Sequence, residues 1–260
     1  MIRLFKFILI FLSIGTLFFS CDRLLDEVDP TTFEYYPIET GKYRIYQVDS
    51  VVYDEYNCTM HSSTFFIKEE TGQAVLDGEG DTMHSVRRYI KEDSSAEWTL
   101  LNIWSEKIED NQLQRVENNQ RFIKLVFPAK ENTSWDGIVF IRRDTLVAIR
   151  GGSIDQYKDW DDFTMKNVGE TFLDTISNVI YPDALLVEQV DKINNIEKRF
   201  SREVFSKEIG MVYKEMWILD TQCRINCTGV GDIASCLFTP WKEKAEKGYI
   251  LTMSLIDHNY

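Results

Sequence analysis

The sequence predicts a mainly β protein, built as a single antiparallel sheet that is strongly curved or partly closed into a barrel, with one short helix or long loop. Three observations predict this fold class. Apolar and polar residues alternate along many segments, a period of two that is typical of strands with one buried face. Turn-forming residues separate these segments at short intervals, which favours antiparallel hairpins. Aromatic residues, 13% of the chain, lie along the same segments.

The first half of the predicted sheet begins after a rigid entry segment. Pro37 restricts Tyr36 to extended conformations, and Gly41 allows a turn before Tyr43 and Ile45 begin the first strand. The predicted strands of this half cover residues 43–53, 63–69, 85–91, 98–108, 112–118 and 122–127.

The second half contains one ambiguous segment and one that lacks strand character. Ile196, Phe200 and Val204 fit either a helix or one face of a strand, and the turns that bracket them favour a strand. Residues 144–175 are the least strand-like, and we expect the short helix or long polar loop near residues 150–170. The other predicted strands cover residues 184–190, 211–220 and 248–257.

The N-terminus has the features of a bacterial lipoprotein signal, residues 1–20. Arg3 and Lys6 precede an apolar run of 13 residues, 7–19, which is too short to span a hydrocarbon core of about 30 Å. Leu17–Cys21 resembles a lipobox, so we expect cleavage before Cys21 and acyl chains on that cysteine. An ordinary cleaved signal is the alternative. The expected location is the cell envelope, at the outer membrane, with leaflet and surface display left open.

Beyond the signal, the sequence predicts an acidic tether over residues 21–34 and one β-rich domain over residues 35–260. Two of the 29 basic residues lie in the signal, which leaves 27 against 42 acidic ones, a formal charge of −15. This charge disfavours phosphate backbones, so we expect no nucleic-acid partner. The expected partners are the lipid bilayer, through Cys21, and an envelope protein or glycan.

Four cysteines remain in the exported domain: Cys58, Cys223, Cys227 and Cys236. An even number in an exported protein indicates disulfides, and three pairings are possible. We expect at least one bridge that includes Cys236, because this residue faces two candidate partners across a short loop. Cys58 then pairs with the remaining cysteine or stays buried and reduced. The spacing lacks the knuckles of a structural zinc site.

No motif for catalysis or for a cofactor is recognisable, and the chain has only three histidines. We therefore expect no catalytic residue, metal or cofactor. A carboxylate pair from distant strands is the remaining route to a glycosidase. One acidic cluster is a weak candidate for binding a cation, or a sugar stacked on its tryptophan, and its alternative is a solvated loop: Asp155, Asp159, Trp160, Asp161 and Asp162.

Several stretches of the mature chain carry a family resemblance: residues 35–50 (YYPIETGKYRIYQVDS), 127–137, 187–191, 208–215 and 247–251. They resemble a family of uncharacterised Bacteroidota lipoproteins whose exported domain opens with a YYPL-x-x-G-x-x-W-x-Y motif. Tyr43 stands where that motif has tryptophan. The resemblance implies an envelope location and a β domain, and it brings no site residues.

Three functions are compatible with these features. The first is a non-enzymatic envelope lipoprotein that acts through binding or assembly. The second is a carrier that holds an apolar ligand in a lipocalin-like or lipoprotein-carrier-like curved sheet. A glycan-acting hydrolase is the third and least favoured. A deep cavity would favour the carrier, and a filled core with an exposed aromatic patch would favour the first.

Overall fold

The computed structural model of the protein describes residues 33–76, 78, 80–224 and 229–260. Twelve strands of the described chain form one antiparallel sheet that nearly closes into a barrel, which confirms the predicted fold class. The predicted signal peptide, the predicted lipidation site Cys21 and nearly all of the predicted tether lie outside the described residues. Within them, no helix is long and apolar enough to span a membrane.

The first half of the sheet is a chain of hairpins that follows the predicted strands. Its strands are β1 (Tyr43–Asp54), β2 (Thr59–Leu76), β3 (Thr82–Lys91), β4 (Thr99–Glu109), β5 (Gln112–Glu117) and β6 (Gln120–Val126). β2 is longer than predicted at both ends, because Thr59 lies opposite Asp54 of β1 and Leu76 lies opposite Thr82 of β3.

The second half contains the remaining strands and two short helices. In chain order these are β7 (Ser134–Trp135), β8 (Leu146–Ile149), β9 (Gly152–Asp155), β10 (Phe163–Asp174), β11 (Val179–Ile193), β12 (Glu197–Ser206), β13 (Gly210–Asp220), α1 (Ile233–Cys236), α2 (Trp241–Lys244) and β14 (Lys247–His258). The order across the sheet is β6-β5-β4-β3-β2-β1-β14-β13-β12-β11-β10-β7, and β8 pairs only with β9 in a separate hairpin.

The least strand-like region differs from the prediction in its position and content. Residues 127–162 form a long connection that contains β7 and the β8–β9 hairpin, whereas residues 163–174 are strand β10. β10 was missed because only its start, at Phe163 and Met165, combines alternation with burial. The short helices occur near the C-terminus instead, in residues 233–244.

The ambiguous segment is a strand, β12, as predicted, but its buried face is polar. Arg199, Ser201 and Glu203 are each at most 1% exposed, whereas Phe200 is only half-buried. Arg199 donates to the backbone oxygens of Asp155 and Leu219, at 3.1 and 3.0 Å. Buried polar groups need such partners, so the interior beside β12 contains a hydrogen-bonded network next to the apolar core.

The barrel is completed along a seam between β6 and the segment around β7. The backbone N–H of Ile123 donates to the oxygen of Gly137 at 2.9 Å, and the indole N–H of Trp135 donates to the oxygen of Ile123 at 2.8 Å. β6 is buried on both faces as a result, with Phe122, Ile123 and Leu125 all shielded from solvent.

The cysteines lie in the segment between β13 and β14. Cys223 and Cys236 form a disulfide with 5.6 Å between their Cα atoms, which confirms the predicted bridge at Cys236. Cys58 is also disulfide-bonded, so the alternative of a reduced Cys58 is wrong. Cys227 lies outside the described residues.

Candidate ligand-binding site

A cavity of about 780 Å³ lies inside the barrel. This volume is within the range of roughly 300–1,000 Å³ that is typical of small-molecule sites. Much of its wall is apolar or aromatic, contributed by strands around the sheet: Val52, Trp104, Phe122, Met216, Tyr249 and Leu251. Alternation along each strand places these side chains inside and their neighbours outside.

The β8–β9 hairpin contributes the rest of the apolar wall, since Leu146, Val147 and Ile149 line the same cavity. The hairpin makes no ladder hydrogen bonds to the large sheet. His61 and Arg150 also line the cavity and are exposed to solvent, as is Leu146. The entrance therefore lies between the hairpin and the β1–β2 connection.

The two ends of the hairpin are held differently. After β9, the hydroxyl of Tyr249 donates to Gln156 Oε1 at 2.8 Å, and the hydroxyl of Tyr157 donates to Gln120 Oε1. At the turn, Gly151 has φ +77° and packs against the Asp54 carboxylate, which also lies 3.5 Å from the Arg150 guanidinium. The hairpin is thus fixed at its base by the barrel wall and at its tip by one side chain.

The inner end of the cavity is charged. Glu203, which is fully buried, accepts hydrogen bonds from Lys124 at 2.5 Å and from Lys214 at 2.9 Å. Lys124 also lies 3.5 Å from Glu117. Lys124, Lys214 and Glu117 all line the cavity. Two ammonium groups and two carboxylates from β5, β6, β12 and β13 therefore meet at its floor.

Glu117, Glu203 and Lys214 stay ionised near neutral pH. Burial alone would raise the pKa of Glu117, but the positive charges of Lys124, Lys214 and Arg115 outweigh it and lower that pKa to about 2. The two lysines likewise lower the pKa of Glu203 against the effect of burial. Burial would lower the pKa of Lys214, yet Glu203 and Glu117 raise it.

A second ion cluster supports the aromatic wall. Arg115 pairs with Glu69, which also accepts from Arg88 at 2.9 Å. The Arg88 guanidinium stacks 3.6 Å from the centre of the Trp104 ring. Tyr36 of the entry segment donates to Glu106 at 2.7 Å in the same cluster. These contacts hold Trp104 in one orientation and tie the start of the domain to the interior.

All four side-chain amides that line the cavity have their oxygen atoms occupied. Gln189 accepts from Ser201 at 2.6 Å, and Asn118 accepts from both Asn102 and Trp104 at 3.2 Å. The other two are Gln120 and Gln156, which accept from tyrosine hydroxyls. None of the four amide nitrogens donates to an acceptor in the described part of the chain, so they are available to a ligand.

The sequence-predicted acidic site is not formed. Trp160 is only 2% exposed and packs edge-to-face on Tyr157 inside the barrel, so it offers no platform to solvent. Asp155 belongs to β9 and Asp161 pairs with Lys192 at 2.8 Å. Asp159 and Asp162 are exposed on the connecting loop. Across the described ranges, no group of three potential metal-ligating side chains converges.

The charged residues of the floor and of the second ion cluster were not among the site residues that the sequence predicted. Lys124 shares its strand parity with the buried Phe122, and Glu106 shares that of Trp104. That shared parity is the available signal, since residues two apart on a strand point to the same face.

Comparisons with known proteins give little similarity. No family model matches the chain, and no curated protein matches it. Among solved structures, a crystal structure of a Bacteroides fragilis protein, described as a candidate exported protein with a YmcC-like fold, is similar to this chain with 10% identity and a TM-score of 0.34. The match covers 86% of this chain and 98% of that one.

Proposed function

We propose that the protein is an exported envelope lipoprotein, anchored through acylated Cys21, that carries a small apolar or amphipathic ligand in its barrel cavity. The cavity is the observation that carries this proposal. A binding or assembly role through an exposed aromatic patch would need no interior space. Here, aromatic and aliphatic side chains surround a volume that suits a small molecule. The carrier is therefore favoured over the other two functions.

The electrostatics of the floor support binding without chemical conversion. Glu117 and Glu203 flank Lys124 beside the cavity, as a carboxylate pair from distant strands would in a glycosidase. Such an enzyme needs one carboxyl group whose raised pKa keeps it protonated as a general acid. Both of these pKa values are lowered, that of Glu117 to about 2. Neither side chain can donate a proton near neutral pH.

A neutral apolar dye tests the carrier function. N-phenylnaphthylamine should bind the purified exported domain with enhanced fluorescence, because the cavity would exclude water from it. Leu251→Trp should fill the cavity and weaken binding at least about tenfold, which corresponds to roughly 1.4 kcal/mol. Thr252→Trp is the matched control, because Thr252 is the next residue of β14 and lines a groove on the outer face.

The proposal fails if the dye shows no saturable binding to the unmodified domain. It also fails if Leu251→Trp, folded by circular dichroism, binds the dye as tightly as Thr252→Trp does.

A further inference from the structure

We infer that the ligand is an anionic amphiphile, whose carboxylate or phosphate head lies against Lys124 and Lys214 and whose apolar body extends toward the β8–β9 hairpin. This inference rests on the proposed carrier function and specifies the class of ligand. It follows from the balance of hydrogen-bond donors and acceptors on the cavity wall.

The two lysines supply unused donors. An ammonium group has three N–H donors and no acceptor. Lys214 makes its one hydrogen bond within the described residues to Glu203, so it retains donors that can face the cavity. Lys124 and Lys214 share the same oxygen of Glu203, which brings both positive charges to one place. An anionic oxygen at this point would complete their coordination.

The side-chain amides supply further donors. The oxygen atoms of Asn118, Gln120, Gln156 and Gln189 accept from neighbouring groups, while their NH2 groups donate to no acceptor in the described part of the chain. The indole N–H of Trp160, another wall residue, is buried and has no acceptor among the described residues. A wall with ammonium, amide and indole donors complements a head that only accepts hydrogen bonds.

The opposite end of the cavity suits an apolar body. Leu146, Val147 and Ile149 of β8 lie there with Val52 and Leu251 of the sheet. Contact with such side chains contributes about 25 cal/mol for each Å² of apolar surface removed from water. The carboxylate of Glu117 also lines the cavity, but it is already paired, because its Oε1 lies 3.5 Å from Lys124 and 3.7 Å from Arg115.

Calorimetric titration with three probes of one chain length tests the head group: dodecanoic acid, dodecyl phosphate and dodecanol. Acetate and inorganic phosphate represent the head without a body. We expect the acid or the phosphate ester to bind at least about tenfold more tightly than the alcohol, as a charge-assisted hydrogen bond implies. We expect neither acetate nor inorganic phosphate to compete with the binding of these twelve-carbon probes.

Substitutions at the floor identify the residues. Lys214→Met should weaken binding of dodecanoic acid by about 10- to 100-fold and leave dodecanol unaffected. Gln156→Leu removes one donor without disturbing an ion pair, although it also removes the acceptor of the Tyr249 hydroxyl. It should weaken binding of the acid about threefold to tenfold more than binding of dodecanol. If Lys214→Met fails to fold, this second variant tests whether donors of the cavity wall bind the anionic head. Lys166→Met is the control, because it removes the same charge from the partly exposed Lys166–Glu188 pair on the sheet.

Equal affinity for the acid, the ester and the alcohol would overturn the head-group assignment and leave the carrier function standing. If the domain bound the dye but none of the three twelve-carbon probes, the head-group assignment would also be overturned and the carrier function would stand. If inorganic phosphate competed with bound dodecanoic acid as strongly as dodecyl phosphate does, the claim that the ligand has an apolar body would be overturned. Absence of both dye and chain binding would overturn the carrier function itself.

Discussion

At the scale of single residues, the interior of this barrel is organised by ion pairs. Glu203 is fully buried and accepts hydrogen bonds from both Lys124 and Lys214. Removing one partner of a buried ion pair leaves an uncompensated charge, which costs far more than breaking a pair at the surface. The stability of the barrel should therefore depend strongly on this one side chain.

Glu203→Gln is expected to lower the free energy of unfolding by about 3–5 kcal/mol, because Lys124 and Lys214 would lose their shared carboxylate. Urea denaturation followed by tryptophan fluorescence measures the change. Glu188→Gln is the control, since it removes a carboxylate from a partly exposed pair at 2.8 Å and should cost less than about 1 kcal/mol. Equal losses for the two variants would contradict the structural role of Glu203.

The lowered pKa of Glu117 predicts a loss of stability in acid. Its pKa in the folded protein is about 2, against an ordinary value of 4.5. A carboxyl group with a depressed folded pKa stabilises the fold above its unfolded pKa, and this stabilisation is lost as the pH falls through the folded value. The free energy of unfolding should therefore decrease from about pH 4.5 to about pH 2.

Denaturant titrations across this pH range measure that slope, and Glu117→Gln should make it shallower because the substituted amide does not titrate. An unchanged slope in the variant would show that other carboxyl groups carry the acid sensitivity.

The charged residues of the floor and of the second ion cluster could be found in the sequence only in part. Lys124 and Glu106 sit on predicted strands, and their parity with Phe122 and Trp104 indicates the inward face. Their partners lie far away in the chain, since Lys124 donates to Glu203 and Glu106 accepts from Tyr36. One sequence does not show which charge meets which, because pairing across a barrel depends on the order and register of all the strands.

At the scale of elements, the β8–β9 hairpin is the part of the cavity wall that the sheet does not hold. Its turn packs on Asp54, which also accepts hydrogen bonds from the backbone and side chain of Asn57 at 3.0 and 2.8 Å. The contact between Gly151 and Asp54 therefore sets how closely the hairpin covers the entrance.

Gly151→Ala should loosen the hairpin. Its φ of +77° is unfavourable for alanine, and a Cβ atom would lie 2.3 Å from Asp54 Oδ1. We expect a loss of about 1–2 kcal/mol in stability and a severalfold faster release of bound dye in stopped-flow fluorescence. Gly152→Ala is the matched control, since a Cβ atom there meets nothing within 4 Å. Similar dye release from both variants would argue against a gating role for the turn.

The elements that the sequence predicts best are those with one apolar face and short turns. β1 and β13 match their predicted bounds to within a residue. The β8–β9 hairpin was missed because the connection from residue 127 to residue 162 folds into the barrel instead of lying on its surface. Tyr157 and Trp160 are buried there. An irregular loop that packs into the core shows no regular alternation of apolar and polar residues in the sequence.

At the scale of the whole molecule, the predicted anchor determines where a carried ligand could be received and released. Two acyl chains hold a protein stably on a membrane. Residues 21–34 would connect such an anchor to a barrel whose first described hydrogen bonds begin at Phe33. A membrane-tethered carrier would then work close to the surface from which amphiphiles come.

Cys21→Ala should move the protein from the membrane fraction to the soluble or unprocessed pool, because no acyl chain can be attached. Fractionation of cells followed by mass measurement tests this. A Cys236→Ala variant, which keeps Cys21, should remain in the membrane fraction. If the Cys21 variant stays on the membrane at its mature mass, the anchor is elsewhere.

The seam between β6 and the segment around β7 affects which ligands could fit inside the barrel. A fully closed barrel has a girth fixed by its number of strands and their stagger. In this sheet the circle is completed by contacts such as those of Ile123 with Gly137 and Trp135, and not by a continuous ladder. Opening of the seam would increase the diameter of the barrel without breaking the hydrogen bonds between neighbouring strands of the sheet. If the protein is a carrier, opening at this seam would let the barrel widen to fit a thicker ligand.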